Sequence, residues 1–405
     1  MQQDAKITAS DRAQGDEFGH SVSLSGDRAL VGAYFDDNRT GSAYVFAFDG
    51  TTWTEQAKLT ASDGAEGDQF GWSVSLLGDR ALISADRDDS FTGSAYVFAF
   101  DGTTWTEQAK LTASDGAEQD RFGSSVSLSG DRALIGAPVN ATRPGSAYVF
   151  SFDGIAWAEQ AKLTGDDRNR GELFGDSVSL SDNLALAGAR LNDGNIGSAY
   201  AFAFDGTAWN RQALITANDR TARDFFGKSV FLLGNRALIS AEGDDDLSGA
   251  VYVFVREGTE WNQQAKLVPS DRVQGGVFGT SVSLSSNRAL IGAAFYDSAA
   301  GSAYVFTLSE LVASEDDPMD GIALTVAPNP VAGRSSITFE LSEAADVTAS
   351  LYDALGREVT QLTDAPYAAG RHTIKLATVD LPVGVYVVRA QFGDTVRTAR
   401  LTVVR

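Results

Sequence analysis

Acidic residues recur in pairs within short polar segments of this sequence, and such pairs are candidates for metal binding. Hard cations such as Ca²⁺ bind about six to eight oxygen atoms, which carboxylates, amides and backbone carbonyls supply. We therefore predict calcium, as the only cofactor, at one or more of these segments. The alternative is that Asp and Asn serve here only as turn residues, which hydrogen-bond nearby backbone. The candidate ligands are Asp36, Asp37, Asp88, Asp89, Asn192, Asp193, Asp244, Asp245 and Asp246.

A second candidate site consists of the residues that follow a repeated Phe-Gly pair. They differ in type from copy to copy, whereas the Ser-Val after them is repeated in every copy. A mixed polar and aromatic ring can bind a small ligand or a sugar, with Trp72 as the stacking surface. The alternative is that a position without a packing role is free to vary. The residues are His20, Trp72, Ser124, Asp176, Lys228 and Thr280.

Catalytic motifs do not stand out. The chain has no Cys, which excludes disulfides, thiol nucleophiles and thiolate metal sites, and its two His are His20 and His372. It also lacks the Gly-x-Ser-x-Gly nucleophile motif of serine hydrolases, so only paired carboxylates would remain as catalytic groups. We therefore expect a non-enzymatic protein with no catalytic residues.

The net charge of −22 is unevenly distributed. Residues 1–308 hold 41 acidic and 24 basic residues, whereas residues 322–405 hold eight of each. An acidic surface repels nucleic acid and anionic lipid, and it attracts cations or basic partners. The sequence therefore argues against nucleic-acid binding, and it has no apolar run of the roughly 18 to 20 residues that membrane insertion requires.

A repeat of 52 residues dominates the chain. Phe-Gly begins at residues 18, 70, 122, 174, 226 and 278, and two further series, of Trp (53, 105, 157, 209, 261) and of Gly (41, 93, 145, 197, 249, 301), keep the same period. Such a strict period indicates one supersecondary unit per repeat. We expect the periodic Trp residues to pack within hairpins, since a binding site would not need five identical copies.

Each repeat contains four short segments in which residue character alternates with period two, in the first copy residues 21–24, 28–33, 42–46 and 56–60. Asp49-Gly50 between the last two segments favours a tight hairpin. Four antiparallel strands per repeat predict a blade of a six-bladed β-propeller. Strand alternation then places the loops between strands two and three, together with the blade-to-blade connections, on one face, which we call the loop face. Both hairpin turns lie on the opposite, hairpin face.

The ends of the repeat array suggest how the ring closes. The last repeat provides three strands, and residues 3–11 match residues 56–63, the fourth strand of the first repeat and its continuation. We therefore predict that an N-terminal strand completes the last blade, which would hide an otherwise exposed sheet edge.

The Phe-Gly pairs, the Gly-Ala of strand two and the Ala-Tyr-Val-Phe of strand three resemble FG-GAP repeats. These are the units of the integrin α-subunit propeller and of many bacterial surface proteins, and the resemblance covers residues 4–308. Integrin-type propellers have seven blades and bind calcium between the first two strands of a blade. Here that connection is only Ser25-Gly26-Asp27-Arg28, so the integrin calcium site does not carry over.

Residues 309–321 are acidic and contain Pro318, which predicts a linker. Residues 322–405 alternate again and predict a small immunoglobulin-like β-sandwich. Ala327-Pro328-Asn329-Pro330, the segment at 351–359 and Leu401-Thr402-Val403-Val404-Arg405 are similar to the C-terminal sorting domain of type IX secretion cargo in Bacteroidota and relatives. Asp353, Gly356 and Arg357 map onto the motif of that family. The resemblance implies export and recognition by the secretion machinery. The alternative is that the three residues only form a turn between two strands.

The sequence thus predicts an all-β protein, with a six-bladed propeller at 1–308, a linker at 309–321 and a sorting domain at 322–405. Its predicted function is calcium-dependent binding or adhesion through the acidic loop face, secreted or at the outer-membrane surface, with an extracellular protein or glycan as ligand. A carbohydrate-binding or carbohydrate-degrading module is the alternative, and a halophilic structural protein is a third interpretation. We expect a monomer without membrane insertion, and residues 1–4 lack the features of a signal peptide.

Overall fold

A computed structural model describes residues 5–138, 145–165, 172–285, 287–296, 300–308, 324–327, 331, 333–341, 344–352, 358–378, 381–382, 384–392 and 395–404. The chain forms two compact units, Met1–Ser309 and Glu310–Arg405. Within the described ranges, no helix is long and apolar enough to cross a membrane. The predicted linker at 309–321 and the sorting-motif residues Asp353, Gly356 and Arg357 lie outside the described residues.

The first unit consists of six antiparallel sheets, one per repeat, and in each sheet the strands lie in chain order. The first three sheets contain β1 (Val22–Ser25), β2 (Arg28–Ala33), β3 (Ser42–Phe48), β4 (Trp53–Leu59), β5 (Val74–Leu77), β6 (Arg80–Ala85), β7 (Ser94–Phe100), β8 (Trp105–Leu111), β9 (Ser125–Ser129), β10 (Arg132–Ala137), β11 (Ser146–Phe152) and β12 (Trp157–Leu163). The last three contain β13 (Phe174–Ser181), β14 (Leu184–Ala189), β15 (Ser198–Phe204), β16 (Trp209–Ile215), β17 (Phe226–Leu233), β18 (Arg236–Ala241), β19 (Ala250–Glu257), β20 (Glu260–Leu267), β21 (Phe278–Ser285), β22 (Arg288–Ala293) and β23 (Ser302–Thr307). The predicted all-β propeller fold with six blades is confirmed.

Apolar side chains between consecutive blades form the core. Leu30 and Val45 of the first blade belong to one buried cluster with Val74 and Leu76 of the second. The repeated Phe-Gly and Gly positions permit this packing, because the chain segments approach closely there. Gly41 has a φ of +86°, and a side chain on it would collide with the carbonyl oxygen of Phe70.

The periodic tryptophans pack within the hairpins, as the sequence predicts. The ring of Trp105 lies 5.3 Å from that of Phe100, and its Nε1–H donates to Oε1 of Gln56 in the preceding blade at 2.9 Å. The guanidinium of Arg28 lies 4.5 Å from the centre of the Phe100 ring. These residues therefore join neighbouring blades.

Backbone hydrogen bonds support the predicted division into two faces. On the loop face, the N–H of Gln69, in a blade-to-blade connection, donates to the carbonyl of Arg39, in a loop between strands two and three (2.9 Å). On the hairpin face, the N–H of Phe48 donates to the carbonyl of Asp27 (2.8 Å), so the two hairpin turns of a blade are adjacent.

In the described part of the chain, four loops between strands two and three contain a one-turn element: α1 (Asp36–Arg39), α2 (Asp88–Phe91), α3 (Asn192–Asn195) and α4 (Asp244–Leu247). The second residue of each has a left-handed backbone, with φ between 47° and 53°. Asp and Asn tolerate this conformation better than most residues, because their short side chains hydrogen-bond locally. The elements are turns rather than regular helices.

The sixth blade differs from the others. Within the described residues its sheet has three strands, and residues 5–10 contain no strand. Leu290 and Val305 of this blade are 49% and 47% exposed, whereas the corresponding Leu30 and Val45 of the first blade are fully buried. The predicted closing strand, of which residues 3–4 lie outside the described residues, therefore stays a prediction.

The second unit contains two sheets that enclose a common apolar core. The three-stranded sheet consists of β24 (Leu324–Ala327), β25 (Arg334–Leu341) and β28 (Gly370–Ala377). The four-stranded sheet has the order β27 (Glu358–Tyr367), β26 (Ala345–Tyr352), β29 (Gly384–Phe392) and β30 (Thr395–Val403). Ile337 and Phe339 from one sheet share a buried cluster with Val347 and Leu351 from the other, as in a small β-sandwich.

Candidate functional site

The acids predicted as metal ligands divide into a buried and an exposed set. In each pair the first residue is buried, because it occupies the start of the turn beneath the next connection. The second residue, with its left-handed backbone, points its side chain to solvent. The buried set is Asp36, Asp88, Asn192 and Asp244, and the exposed set is Asp37, Asp89, Asp193, Asp245 and Asp246.

The buried aspartate of the first blade has a lysine as its counter-ion. Lys58 Nζ lies 2.7 Å from Asp36 Oδ2 and 2.6 Å from Asp11 Oδ2, which belongs to the connection preceding the blade. The hydroxyl oxygen of Tyr44 lies within hydrogen-bond distance of both carboxylates, 2.9 Å from Asp36 and 2.8 Å from Asp11, and it donates its single proton to one of them at a time. We call this group of one lysine, one tyrosine and two aspartates the lysine cluster.

The lysine cluster recurs in the second and fifth blades. Lys110 Nζ lies 2.6 Å from both Asp63 and Asp88, and the hydroxyl of Tyr96 donates to Asp63 at 2.9 Å. In the fifth blade the cluster consists of Lys266, Tyr252, Asp219 and Asp244, with both Lys-to-Asp distances at 2.7 Å. In the third blade Lys162 and Tyr148 contact Asp115.

The charges in the clusters shift the pKa values of their members. The Lys58 hydrogen bond lowers the pKa of the Asp11 carboxyl. Burial alone would raise the pKa of Asp36, but its hydrogen bonds with Lys58, Ser42 and Tyr44 lower it overall. Burial would likewise lower the pKa of Lys58, and the carboxylates of Asp11 and Asp36 raise it instead. Asp11, Asp36 and Lys58 therefore keep their charges at neutral pH.

The clusters bear on the predicted calcium site. Within the part of the chain that the structure describes, no three His, Asp or Glu residues are arranged to hold a metal ion. The ammonium group lies among the buried carboxylates, and a cation cannot occupy the same position without displacing it. These residues therefore do not fit a calcium ion as they are arranged.

The exposed acids form the outermost part of the loop face. Asp89, Asp193 and Asp246 are exposed at the tips of their turns. Asp37 is 3.3 Å from Lys58, and Asp245 is 2.6 Å from Arg272, which also contacts Asp244. A groove of about 660 Å³ beside the fifth blade includes Asp245, Asp246, Arg223 and Gln274. The loop face can therefore contact a partner through carboxylates on several blades.

The residues that follow Phe-Gly contact one another between some of the neighbouring blades. The rings of His20 and Trp72 are 4.7 Å apart, and Trp72 Nε1–H donates to the carbonyl of Ser124 at 3.2 Å. Asp176 lies 3.8 Å from Lys228. The remaining residue, Thr280, is partly buried. The structure thus brings together three of the predicted residues around Trp72 and two around Asp176.

Two residues near those that follow Phe-Gly were missed by sequence reasoning. Tyr34 places its ring 4.4 Å from that of His20 and 5.1 Å from that of Trp72. Asp86 is fully buried, and neither of its carboxylate oxygens accepts a hydrogen bond from a described neighbour, although Arg121 Nε lies 3.3 Å away. Burial raises the pKa of Asp86. Both residues follow the Gly-Ala or Ser-Ala of strand two, and their variation between repeats was the available signal.

The six blades and their Phe-Gly junctions define a β-propeller with an acidic loop face. The FG-GAP repeat matches residues 1–46, 53–98, 105–150, 157–202, 209–254 and 261–306. The chain belongs to the FG-GAP repeat family. A secretion system C-terminal sorting domain matches residues 325–404. The protein is therefore a secreted or outer-membrane surface propeller, and its sorting domain interacts with the type IX secretion machinery.

Comparison with solved structures finds low similarity over most of the chain. One structure, from a study of two prolyl endopeptidases, has 10% identity and a TM-score of 0.44, covering 92% of this chain and 54% of that one. PorZ, a surface component of the type IX secretion system of Porphyromonas gingivalis, has 12% identity and a TM-score of 0.21, covering 95% and 70%. This chain spans about half the length of the endopeptidase. Comparison with curated proteins gave no match.

Proposed function

We propose that the propeller is a non-enzymatic binding or adhesion module, which contacts a basic extracellular partner through the exposed acids of the loop face. The observation that carries this proposal is the position of Asp37, Asp89, Asp193 and Asp245. Each is the exposed, left-handed residue of its turn, so four blades present a carboxylate at the same place. Carboxylates arranged on one face attract and orient a cationic surface.

The test compares two variants of the full chain with equal charge. The loop-face variant carries Asp37→Asn, Asp89→Asn, Asp193→Asn and Asp245→Asn, which keep the side-chain size. The matched control carries Asp27→Asn, Asp79→Asn, Asp131→Asn and Asp182→Asn, in turns between strands one and two on the hairpin face. Asn183 already accepts a hydrogen bond from Arg132 in such a turn, so Asn is compatible with this location.

The probe is an immobilised lysine-rich peptide, and the readout is the equilibrium affinity at low and moderate salt. We expect the loop-face variant to lose several-fold more affinity than the control. Equal losses would mean that only net charge matters, and they would contradict a specific face.

A second function, saccharide binding, is supported by the aromatic group of His20, Tyr34 and Trp72. Trp72 is only partly buried, and its indole is held by Ser124, so its orientation is fixed. Aromatic rings stack on the apolar faces of sugars. A glycan array with the full chain, followed by Trp72→Ala on any saccharide that binds, tests this function. A saccharide signal that survives Trp72→Ala would contradict the assignment of the site.

A further inference from the structure

We propose that Lys58, Lys110 and Lys266 act as built-in cations that tie the blade-to-blade connection to the turn between strands two and three in their blades, so that the buried acids of these turns need no metal ion. This inference does not depend on the identity of the partner. It assigns to the buried acids the chain's own ammonium groups as ligands.

The geometry supports this role. Each ammonium joins an aspartate of the blade-to-blade connection to an aspartate of the turn between strands two and three, at 2.6 to 2.7 Å. The lysines start from the fourth strand, so three chain segments meet at one charge. An ammonium group has three N–H donors and no acceptor, which suits a site made of carboxylate oxygens. Each ammonium also lies 5.3 to 5.5 Å from the centre of the tyrosine ring in its cluster.

The repeats provide an internal comparison. In the fourth blade the lysine position is Leu214, and the buried acid is replaced by Asn192, whose Nδ2 donates to Tyr200 at 3.1 Å. The sixth repeat ends before the lysine position, and Tyr296 stands where the buried acid would be. Its hydroxyl donates to Asp271 at 2.8 Å. The third repeat has the lysine, Lys162, with Asn140 at the position of the buried acid. The buried aspartate thus occurs only in repeats that have the lysine, whereas the lysine also occurs without it.

This pattern has an electrostatic reason. A buried carboxylate without a counter-ion is strongly unfavourable, whereas a neutral amide in the same place needs only hydrogen bonds. The fourth blade keeps those hydrogen bonds through Ser198 and Tyr200. The absence of a buried aspartate from repeats without the lysine is therefore what a lysine counter-ion requires, and a metal ion would not require it.

The experiment uses the full chain and follows thermal unfolding by tryptophan fluorescence. All six Trp lie at or before residue 261, so the signal reports on the propeller alone. We expect the Tm of the wild type to be the same in Ca²⁺, in Mg²⁺ and in chelator. A Tm that rises specifically with Ca²⁺, or falls with chelator, would overturn the proposal, and this measurement needs no variant.

Substitutions in the second blade test the counter-ion directly. Lys110→Leu should lower the Tm by several degrees, because it leaves Asp63 and Asp88 unneutralised. The double variant Lys110→Leu with Asp88→Asn reproduces the combination of Leu214 and Asn192 in the fourth blade. Its Tm should be higher than that of Lys110→Leu and close to that of the wild type. Lys228→Leu is the matched control outside the clusters. A double variant no more stable than Lys110→Leu, or a Lys110→Leu loss no larger than that of the control, would overturn the proposal.

Discussion

The guanidinium of Arg28 in the first blade lies 2.7 Å from the carboxylate of Asp79 in the second. The same contact joins Arg80 to Asp131 at 2.5 Å. Continued around the ring, this relationship would pair Arg288 of the sixth blade with Asp27 of the first. Both residues are exposed in the structure.

Closure of the ring is the first prediction. Val22 and Leu24 of the first blade are 69% and 68% exposed, whereas the corresponding Val74 and Leu76 are buried. Burial of such side chains stabilises a protein by roughly 1.5 to 3 kcal/mol each. We therefore expect the sixth and first blades to meet in solution, with residues 3–9 as the fourth strand of the sixth blade.

A cross-link measures this closure, because the chain has no native cysteine. Asp27→Cys combined with Arg288→Cys should react with a short bis-maleimide to give a linked monomer. Asp27→Cys with Arg132→Cys, which lies in the third blade, is the control. Cross-linked dimers, or no reaction above that control, would contradict closure within one chain.

The second prediction concerns the loss of stability when Gly41, which lies close to the backbone of Phe70, is substituted. Gly41→Ala and Gly50→Ala both place a side chain at positive φ, +86° and +94°, which costs roughly 1 to 2 kcal/mol. Only Gly41 faces a neighbour, the backbone of Phe70, while the space around Gly50 is open. We expect Gly41→Ala to lower the free energy of unfolding by about 1 to 3 kcal/mol more than Gly50→Ala, measured by urea denaturation. Equal losses would show that backbone conformation alone requires the glycine.

The buried Asp86 is the third prediction. Leaving a buried polar group without hydrogen-bond partners costs about 1 to 3 kcal/mol, and more when the group is charged. Asp86→Asn removes the charge, so it should raise the free energy of unfolding at pH 7. Because burial raises the pKa of Asp86, the folded wild type takes up a proton before the unfolded chain does. The free energy of unfolding of the wild type should therefore rise relative to that of Asp86→Asn as the pH falls towards the ordinary pKa of Asp, about 3.9.

Urea denaturation at neutral and mildly acidic pH, followed by tryptophan fluorescence, checks both statements. The exposed Asp193→Asn is the control for removal of one negative charge. A less stable Asp86→Asn at pH 7 would mean that the ion pair with Arg121 outweighs the burial cost.

The pH dependence of the lysine clusters is the fourth prediction. Asp11, Asp36, Asp63 and Asp219 have lowered pKa values, so their contribution is complete above the ordinary pKa of about 3.9 and is lost as the pH falls through the lowered values. The lysines have raised pKa values, so theirs is complete below about 10.4 and is lost as the pH rises through the raised values.

We therefore expect the contribution of the lysine clusters to the Tm to change little with pH between these limits and to fall on both sides. Lys110→Leu with Asp88→Asn removes the raised pKa of Lys110 and the hydrogen bond that lowers the pKa of Asp63, so the Tm should fall less steeply with pH on both sides. If the Tm of this variant falls as steeply as that of the wild type at acidic and alkaline pH, groups outside the cluster determine the pH dependence.

Much of the architecture was determined by the sequence alone. The 52-residue period, the period-two alternation and the Asp-Gly turns are local signals, and they predicted the six antiparallel blades and the two faces. The packing role of the tryptophans followed from their repetition. The sorting domain was recognised from its motifs, because a short address signal is carried in the chain itself.

Only the tertiary structure decided which acidic residues are buried in ion pairs and which are exposed to solvent. Asp36 and Asp37 are neighbours in the chain, but a left-handed turn buries one and exposes the other. The counter-ion of Asp36, Lys58, lies on the fourth strand, and Asp11 comes from the preceding connection, so only the folded blade brings these charges together. The burial of Asp86 likewise depends on segments of more than one blade. Local patterns encode strands and turns, whereas burial and ion pairing depend on residues that become neighbours only after the chain has folded.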